Sequence, residues 1–349
     1  MNETSMSRPF RLAIVGCGRI SGAHALAAIA SPSIELAALV DPVEQRAQSL
    51  AERVGASPLI ATSIPELRGR VDGVVIATPN HTHAELACEC LAAGVHTLIE
   101  KPLAASVADG ERILRVASDT QRIVAVGYVT RFRENVRFMA DLLRRGHFGE
   151  VRRFAYQFGS RGGWAPLSAY NLDRRLTGGG VLVVTGTHFI DRMLDWFGYP
   201  DEVELADDSL GGPEANAVAT FRFRRVGGTP LTGVARFSKS VALDAGVVLD
   251  TARGMVVLAD RPDASIVVRP HEAPGLETVV RPRLEGPSLA RTTEFGRQLE
   301  DFVRACRGGV PAVTGEQGLL SLRLIEALYA RRRPLPEDWY AAALQRSPA

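Results

Sequence analysis

A few short runs in this 349-residue chain hold side chains and backbone suited to a phosphate, a ribose and a proton. The first is Gly16-Cys17-Gly18-Arg19-Ile20-Ser21-Gly22, directly after the apolar run Leu12–Val15 and ahead of a helical pattern. Gly16 permits a tight turn and Gly18 a close backbone approach, so free N–H groups at the helix start would face an anion such as a pyrophosphate. Ser21 stands where such turns usually carry a third glycine, so helix and strand must pack around a small polar side chain. A second apolar run ends at Val40 and places Asp41 roughly twenty positions after Gly18. An acid there accepts hydrogen bonds from the adenosine ribose and repels a 2′-phosphate, which favours NAD; Arg46 reaches the same area and keeps NADP open. Two more turns follow apolar strands: Thr78-Pro79-Asn80-His81-Thr82-His83 after Gly73–Ala77, and Glu100-Lys101-Pro102 after His96–Ile99. Open α/β sheets bind ligands at that edge, and a lysine beside a carboxylate there does more than confer solubility.

These turns need a sheet to hold them. From Arg11 to Val126 short apolar runs alternate with helical patterns, the rhythm of a parallel sheet with crossover helices. Strands are expected at Leu12–Val15, Ile34–Val40, Gly73–Ala77, His96–Ile99 and Ile123–Val126, with helices at Ala23–Ala30, Val43–Val54, Thr82–Ala92 and Val107–Ala117. After Gly127 the pattern changes to a helix at Asn135–Arg144, a strand at Val151–Phe158, a loop at Gly159–Pro166 and a helix at Val181–Phe197. Alternating segments follow over Glu202–Arg269, among them Ala217–Phe223, Gly233–Phe237 and Met255–Leu258, and helices near Thr292–Cys306 and Glu316–Ala330 come last. The reading is an α/β Rossmann domain with a doubly wound parallel sheet over 1–126. An α+β domain with a large open, mostly antiparallel sheet and C-terminal helices follows over 127–349.

Composition narrows the function classes. With 46% hydrophobic and 23% charged residues the chain is globular, and a net charge of +2 attracts neither nucleic acid nor anionic membrane over the whole surface. Cys17, Cys88, Cys90 and Cys306 are few and irregularly spaced, which indicates neither a disulfide framework nor a metal site. The opening ten residues lack the apolar core of a signal peptide and no run approaches a membrane span, so a cytoplasmic location is expected.

Five motifs in order make the chain similar to the Gfo/Idh/MocA family of sugar and polyol oxidoreductases. They are the Gly16–Ile20 turn with His24, Thr78-Pro79-Asn80 with His83, Glu100-Lys101-Pro102, Gly127 with Arg131-Phe132, and Gly178-Gly179-Gly180 leading to Gly186-x-His188-x-x-Asp191. The resemblance implies an open mixed sheet in the second domain that covers the active site and commonly makes homodimers or homotetramers. It also implies that Lys101 touches the reacting hydroxyl, that Pro102 follows a cis peptide bond and that His188 exchanges the substrate proton. One position departs: family members often carry aspartate one helical turn before that histidine, and here it is Val184.

Oxidation of a secondary alcohol removes a hydride from carbon and a proton from oxygen, so an oriented nicotinamide and a proton acceptor are both required. Burial and the positive ring of NAD⁺ favour the neutral amine of Lys101, and Glu100 opposes that if it points inward. Asp191, three residues beyond His188, or a backbone carbonyl is expected to orient the imidazole. For the substrate, Trp164 could stack on a sugar ring, Tyr170, Asn171 and Tyr128 could bond hydroxyls, and Arg131, Arg161 or Arg175 could meet an anion. Glu214 and Asn216 are further candidates for the same pocket. Two other readings use the same residues: an NAD-using glycosidase or epimerase that oxidises its substrate transiently, and a non-catalytic dinucleotide-binding regulator.

Overall fold

A computed structural model describes residues 8–162, 172–210, 212–225, 228–282, 293–336 and 339. Trp164, Tyr170 and Asn171 lie outside the described residues. Contacts divide the chain into two compact units, one holding the described residues of Met1–Phe132 and Glu285–Leu319, the other those of Arg133–Leu284 and Leu320–Ala349.

In the first unit six strands alternate with helices: β1 (Phe10–Val15), α1 (Ser21–Ala30), β2 (Ile34–Val40), α2 (Glu44–Val54), β3 (Leu59–Ala61), β4 (Gly73–Ile76), α3 (His83–Ala92), β5 (His96–Ile99), α4 (Val107–Thr120) and β6 (Val124–Val126). All pairings are parallel and the order is β3-β2-β1-β4-β5-β6, the doubly wound arrangement expected. β1 and β4 are buried almost end to end because helices cover both faces of such a sheet. The order reverses between β1 and β4, so their carboxyl ends flank the crevice where open sheets hold ligands. The three-residue β3 escaped the sequence reading because so short a segment shows no period. Helix α8 (Glu294–Cys306), which the reading assigned to the C-terminal domain, packs on α1 in this unit, with Leu299, Phe302 and Val303 in the core beside Phe10 and Leu12.

The second unit contains α5 (Glu134–Arg144), β7 (Val151–Gly159), α6 (Arg174–Thr177), α7 (Thr187–Phe197), β8 (Glu202–Asp207), β9 (Asn216–Phe223), β10 (Leu231–Ser238), β11 (Leu243–Thr251), β12 (Gly254–Ala259), β13 (Ile266–Pro270), β14 (Thr278–Val280) and β15 (Arg332–Pro334). Helix α9 (Gly315–Ala330) carries the chain from the first unit into the second. Among the described residues the strands of this sheet run β14-β13-β12-β11-β7-β10-β9-β8-β15, antiparallel apart from β7 with β10 and β8 with β15. One face is apolar and buried, with Phe154, Tyr156, Ala235, Phe237, Leu249 and Val256 packing on Phe189, Ile190 and Met193 of α7. Among the described residues no helix is long and apolar enough to cross a membrane.

Candidate active site

Val15 is in register with Ile76, and Ile76 with Ile99, so the turns after β1, β4 and β5 leave one edge of the sheet side by side. Two strand spacings, roughly 10 Å, separate the first turn from the third. At Gly16, φ is +91° and a Cβ would lie 2.7 Å from the Ala77 carbonyl oxygen, so a side chain is excluded twice over. Gly18 differs: it is exposed and a Cβ would meet nothing within 4 Å. Protein packing therefore does not require glycine there, whereas a phosphate approaching the backbone at the start of α1 does. Ser21 is fully buried, and its hydroxyl donates to the Gly16 carbonyl at 2.5 Å, which satisfies the polar group that replaces the third glycine. Arg19 and Ile20 are exposed on the same turn.

Asp41 is 4% exposed and accepts the Cys17 N–H on one oxygen and the Val43 N–H on the other, both at 2.9 Å. Each oxygen keeps a further lone pair, so the acid ties the glycine turn to the end of β2 and can still accept a hydroxyl. Exposed Arg46 lies 4.0 Å away. Burial, followed by the Asp41 charge, pushes the Cys17 thiol up to about 12.

After β4, the Thr82 hydroxyl lies 2.7 Å from that of Thr78 and 2.8 Å from the Pro79 carbonyl, while Asn80 is buried at the head of a single 3-10 turn, Asn80–Thr82. His83, expected at the cofactor, is fully buried instead, with Nδ1 3.0 Å from the Pro102 carbonyl and Nε2 2.9 Å from that of Thr78. It therefore clamps the second turn to the third. Burial holds it below the ordinary imidazole value, against the pull of those two carbonyls.

The peptide bond between Lys101 and Pro102 is cis and Lys101 is half-buried. Glu100, expected beside the cofactor, turns inward: Oε1 is 2.8 Å from His24 Nε2, and Oε2 accepts the Lys101 N–H at 3.2 Å. Burial pushes this carboxyl up, but His24 and the Lys101 charge hold it below the usual carboxylate range. A Cβ at Gly127 would lie 3.1 Å from Glu100 Cδ, so glycine there makes room for the acid. Tyr128, expected at the substrate, is wholly buried. Arg131 is half-buried with Nη1 3.5 Å from Gln317 Oε1.

In the second unit, His188 lies in the first turn of α7 directly after a π-helical turn, Leu182–Gly186. Such turns recur at functional sites because the extra residue re-aims the side chains that follow. Val184 and His188 are half-buried while Val183, Gly186 and Thr187 are buried, so the two share the open side of this segment. Asp191 is fully buried. Arg192 forks onto Asp260, at 2.9 and 3.3 Å; the same carboxylate accepts Tyr156 Oη–H at 2.5 Å and an Arg133 N–H at 2.7 Å. Burial pushes the Asp260 carboxyl up, yet the two arginines and Tyr156 hold it down at about 2.

Glu214 serves packing rather than a pocket. Its carboxylate accepts the N–H groups of Gly180 and Leu182, each at 2.9 Å, and the Tyr329 hydroxyl at 2.7 Å. Burial pushes this carboxyl above its usual range despite those donors. Asn216 is likewise engaged, with Oδ1 accepting from Ser238 and Ser240 and Nδ2 donating to Asp208. Arg161 is exposed, and Arg175 is exposed and paired with Asp173 at 2.7 Å.

Residues 10–128 match the family model described as an oxidoreductase family with an NAD-binding Rossmann fold, and residues 136–255 match the Gfo/Idh/MocA C-terminal domain. The chain belongs to the Gfo/Idh/MocA oxidoreductase family. It is 28% identical over 326 residues to the rhizopine catabolism protein MocA of Rhizobium meliloti, covering 91% of this chain and 93% of the relative. It is 26% identical to an inositol 2-dehydrogenase of the same species, covering 91% and 95%. The fold is shared with the crystal structure of the aldose-aldose oxidoreductase from Caulobacter crescentus, at TM-score 0.81 and 24% identity, covering 93% and 97%. Relatives are named dehydrogenases and reductases, and the chain is an enzyme of this oxidoreductase class with a nicotinamide dinucleotide as cofactor.

Within this Gfo/Idh/MocA frame one signal in the sequence went unread. Of 41 basic residues only two are lysines, Lys101 and Lys239. A guanidinium cannot be deprotonated near neutrality whereas an amine can, so a lysine kept at the ligand edge of an otherwise arginine-using chain stands out as a candidate for proton transfer. The Glu214 and Asp260 networks left no comparable trace, because their partners come together only in the folded sheet.

Proposed function

We propose that this chain interconverts a secondary alcohol and a ketone on a sugar, sugar derivative or inositol-like polyol, using NAD(H). The observation that carries this reading is the position of Lys101: a half-buried lysine whose backbone N–H is bound by the buried Glu100 carboxylate, on the sheet edge that also bears the Gly16–Gly18 turn. Gly16, Gly18 and the start of α1 would hold the pyrophosphate, and Asp41 the ribose hydroxyls. A bound nicotinamide supplies the hydride acceptor or donor.

The protein's own part is to orient the alcohol and move its proton. As the carbinol C–H bond breaks, the Lys101 amine takes the hydroxyl proton; in the reverse direction the ammonium polarises the carbonyl and returns it. His188 is the second proton-handling group, oriented by Asp191. The relatives named for inositol and glucoside oxidation favour a polyhydroxylated substrate, with Arg131 as a contact for an anionic group. A non-catalytic regulator is favoured by one feature, Val184 in place of the family's frequent aspartate.

The test is turnover of a panel of polyols and sugars by wild type and Lys101→Ala. The expected outcome is net NADH formation by wild type, and a kcat at least about a hundredfold lower in the variant with cofactor affinity nearly intact. Product without net NADH identifies transient oxidation, and equal inertness of both proteins while both bind NADH identifies a regulator.

A homodimer or homotetramer belongs to the same proposal. On the sheet face opposite the core, Val257, Val248, Ala155, Val234 and Thr220 are successive cross-strand neighbours, a low apolar row across five strands. A second copy packing sheet on sheet would cover it. Light scattering should show an oligomer that Val248→Arg reduces to monomer; an unchanged oligomer contradicts this face.

A further inference from the structure

We infer that the buried Glu100 carboxylate, held in place by His24, is the counter-charge that keeps Lys101 protonated when no substrate is bound, so that the resting site is set to donate a proton to a carbonyl. The inference rests on the reading of Lys101 as the proton-handling group.

Among the described residues, the titratable groups seen to act on Glu100 are His24 from α1, His83 from α3 and Lys101 from its own turn. His24 is 0% exposed, its Nε2 is 2.8 Å from Glu100, and its Nδ1 has no hydrogen-bond partner among the described residues. A proton on Nδ1 would be buried without an acceptor, whereas one on Nε2 meets the carboxylate, so the ring donates through Nε2. His83 is bound to two carbonyls and burial disfavours its charged form. Lys101 is then the cation left to balance the acid. The geometry fixes the acid as well: Lys101 donates its own N–H to Glu100, and the missing side chain at Gly127 admits the carboxylate. Glu100 and His24 are positioning residues on this account, acting on the substrate only through the amine.

The experiment uses the full chain and does not depend on turnover. Acetic anhydride labels only free amines, and the chain has two lysines, so peptides carrying Lys101 and Lys239 report separately by mass spectrometry, with Lys239 as internal reference. Labelling is followed from about pH 6 to pH 10 in wild type, Glu100→Gln, His24→Ala and His24→Gln. Loss of a nearby opposite charge moves an amine's titration by about one unit or more, and the Glu100 carboxylate is bound to the backbone of the residue that carries this amine. Below the plateau, Lys101 in Glu100→Gln should therefore label roughly tenfold faster than in wild type, with the plateau reached at lower pH. His24→Ala should shift the same way because Glu100 loses its donor, and His24→Gln, which restores an N–H, should return towards wild type.

A change in accessibility alone would scale the rate equally at every pH, and that result overturns the inference, as does an unchanged profile in Glu100→Gln. If Glu100→Gln does not fold, the His24→Ala and His24→Gln pair decides by the same readout. A shifted profile combined with undiminished turnover by Lys101→Ala supports the counter-charge and overturns only the catalytic reading.

Discussion

Asp41 has a structural duty beside the ribose contact proposed for it. The acid expected at the ribose also accepts the Cys17 and Val43 N–H groups, so it fixes the glycine turn before any nucleotide arrives. Asp41→Ala should therefore weaken NAD binding, narrow the gap to NADP, and lower unfolding free energy by about 1–3 kcal/mol as the buried Cys17 N–H loses its acceptor. Fluorescence titration with both dinucleotides and denaturant unfolding read these outcomes; an unchanged NAD to NADP ratio removes Asp41 from the ribose site. The carboxylate was legible because strand and turn chemistry place it, but its second duty was not, since that depends on the tilt of a side chain against a neighbouring turn. Glu100 and His83 carry the same lesson, as both belong to family motifs and both turn inward to hold Lys101 and Pro102.

At the level of elements, Val181–Phe197 read as one helix because its apolar spacing suits a helical period throughout. The wide turn at Leu182–Gly186 arises from contacts distant in sequence: Glu214 accepts the Gly180 and Leu182 N–H groups, and Tyr329 donates to Glu214. A carboxylate at a helix start is also favoured by the positive end of the helix dipole. The glycines before it are demanded by closeness, for a Cβ at Gly180 would lie 2.1 Å from the Glu214 carbonyl oxygen and one at Gly179 2.0 Å from the Tyr329 hydroxyl. Gly180→Ala should cost about 1–3 kcal/mol or more, because backbone must move to admit the methyl group. Chemical denaturation measures this, and a cost below about 0.5 kcal/mol would contradict the clamp. Since α7 follows directly, the same variant should impair turnover more than NAD binding.

Across the whole molecule, the alternation of strand and helix in the first unit and the bunched strands of the second were readable because each period reports a buried face. The destination of each face was not. Helix α8 presents a strongly amphipathic pattern, yet nothing in that pattern says that Leu299 and Phe302 pack beside β1 rather than against the larger sheet. The site turns were the most legible part, since glycines, the Thr78-Pro79-Asn80 run and Glu100-Lys101-Pro102 each follow a strand whose end the sheet brings into register. The proposed chemistry requires the Lys101 amine to meet the reacting hydroxyl beside the nicotinamide. A crystal structure of the enzyme with NADH and a turned-over polyol measures it directly. Lys101 Nζ should lie about 3 Å from the hydroxyl whose carbon faces the nicotinamide ring; an amine directed into bulk solvent, away from that ring, would rule out its part in the reaction.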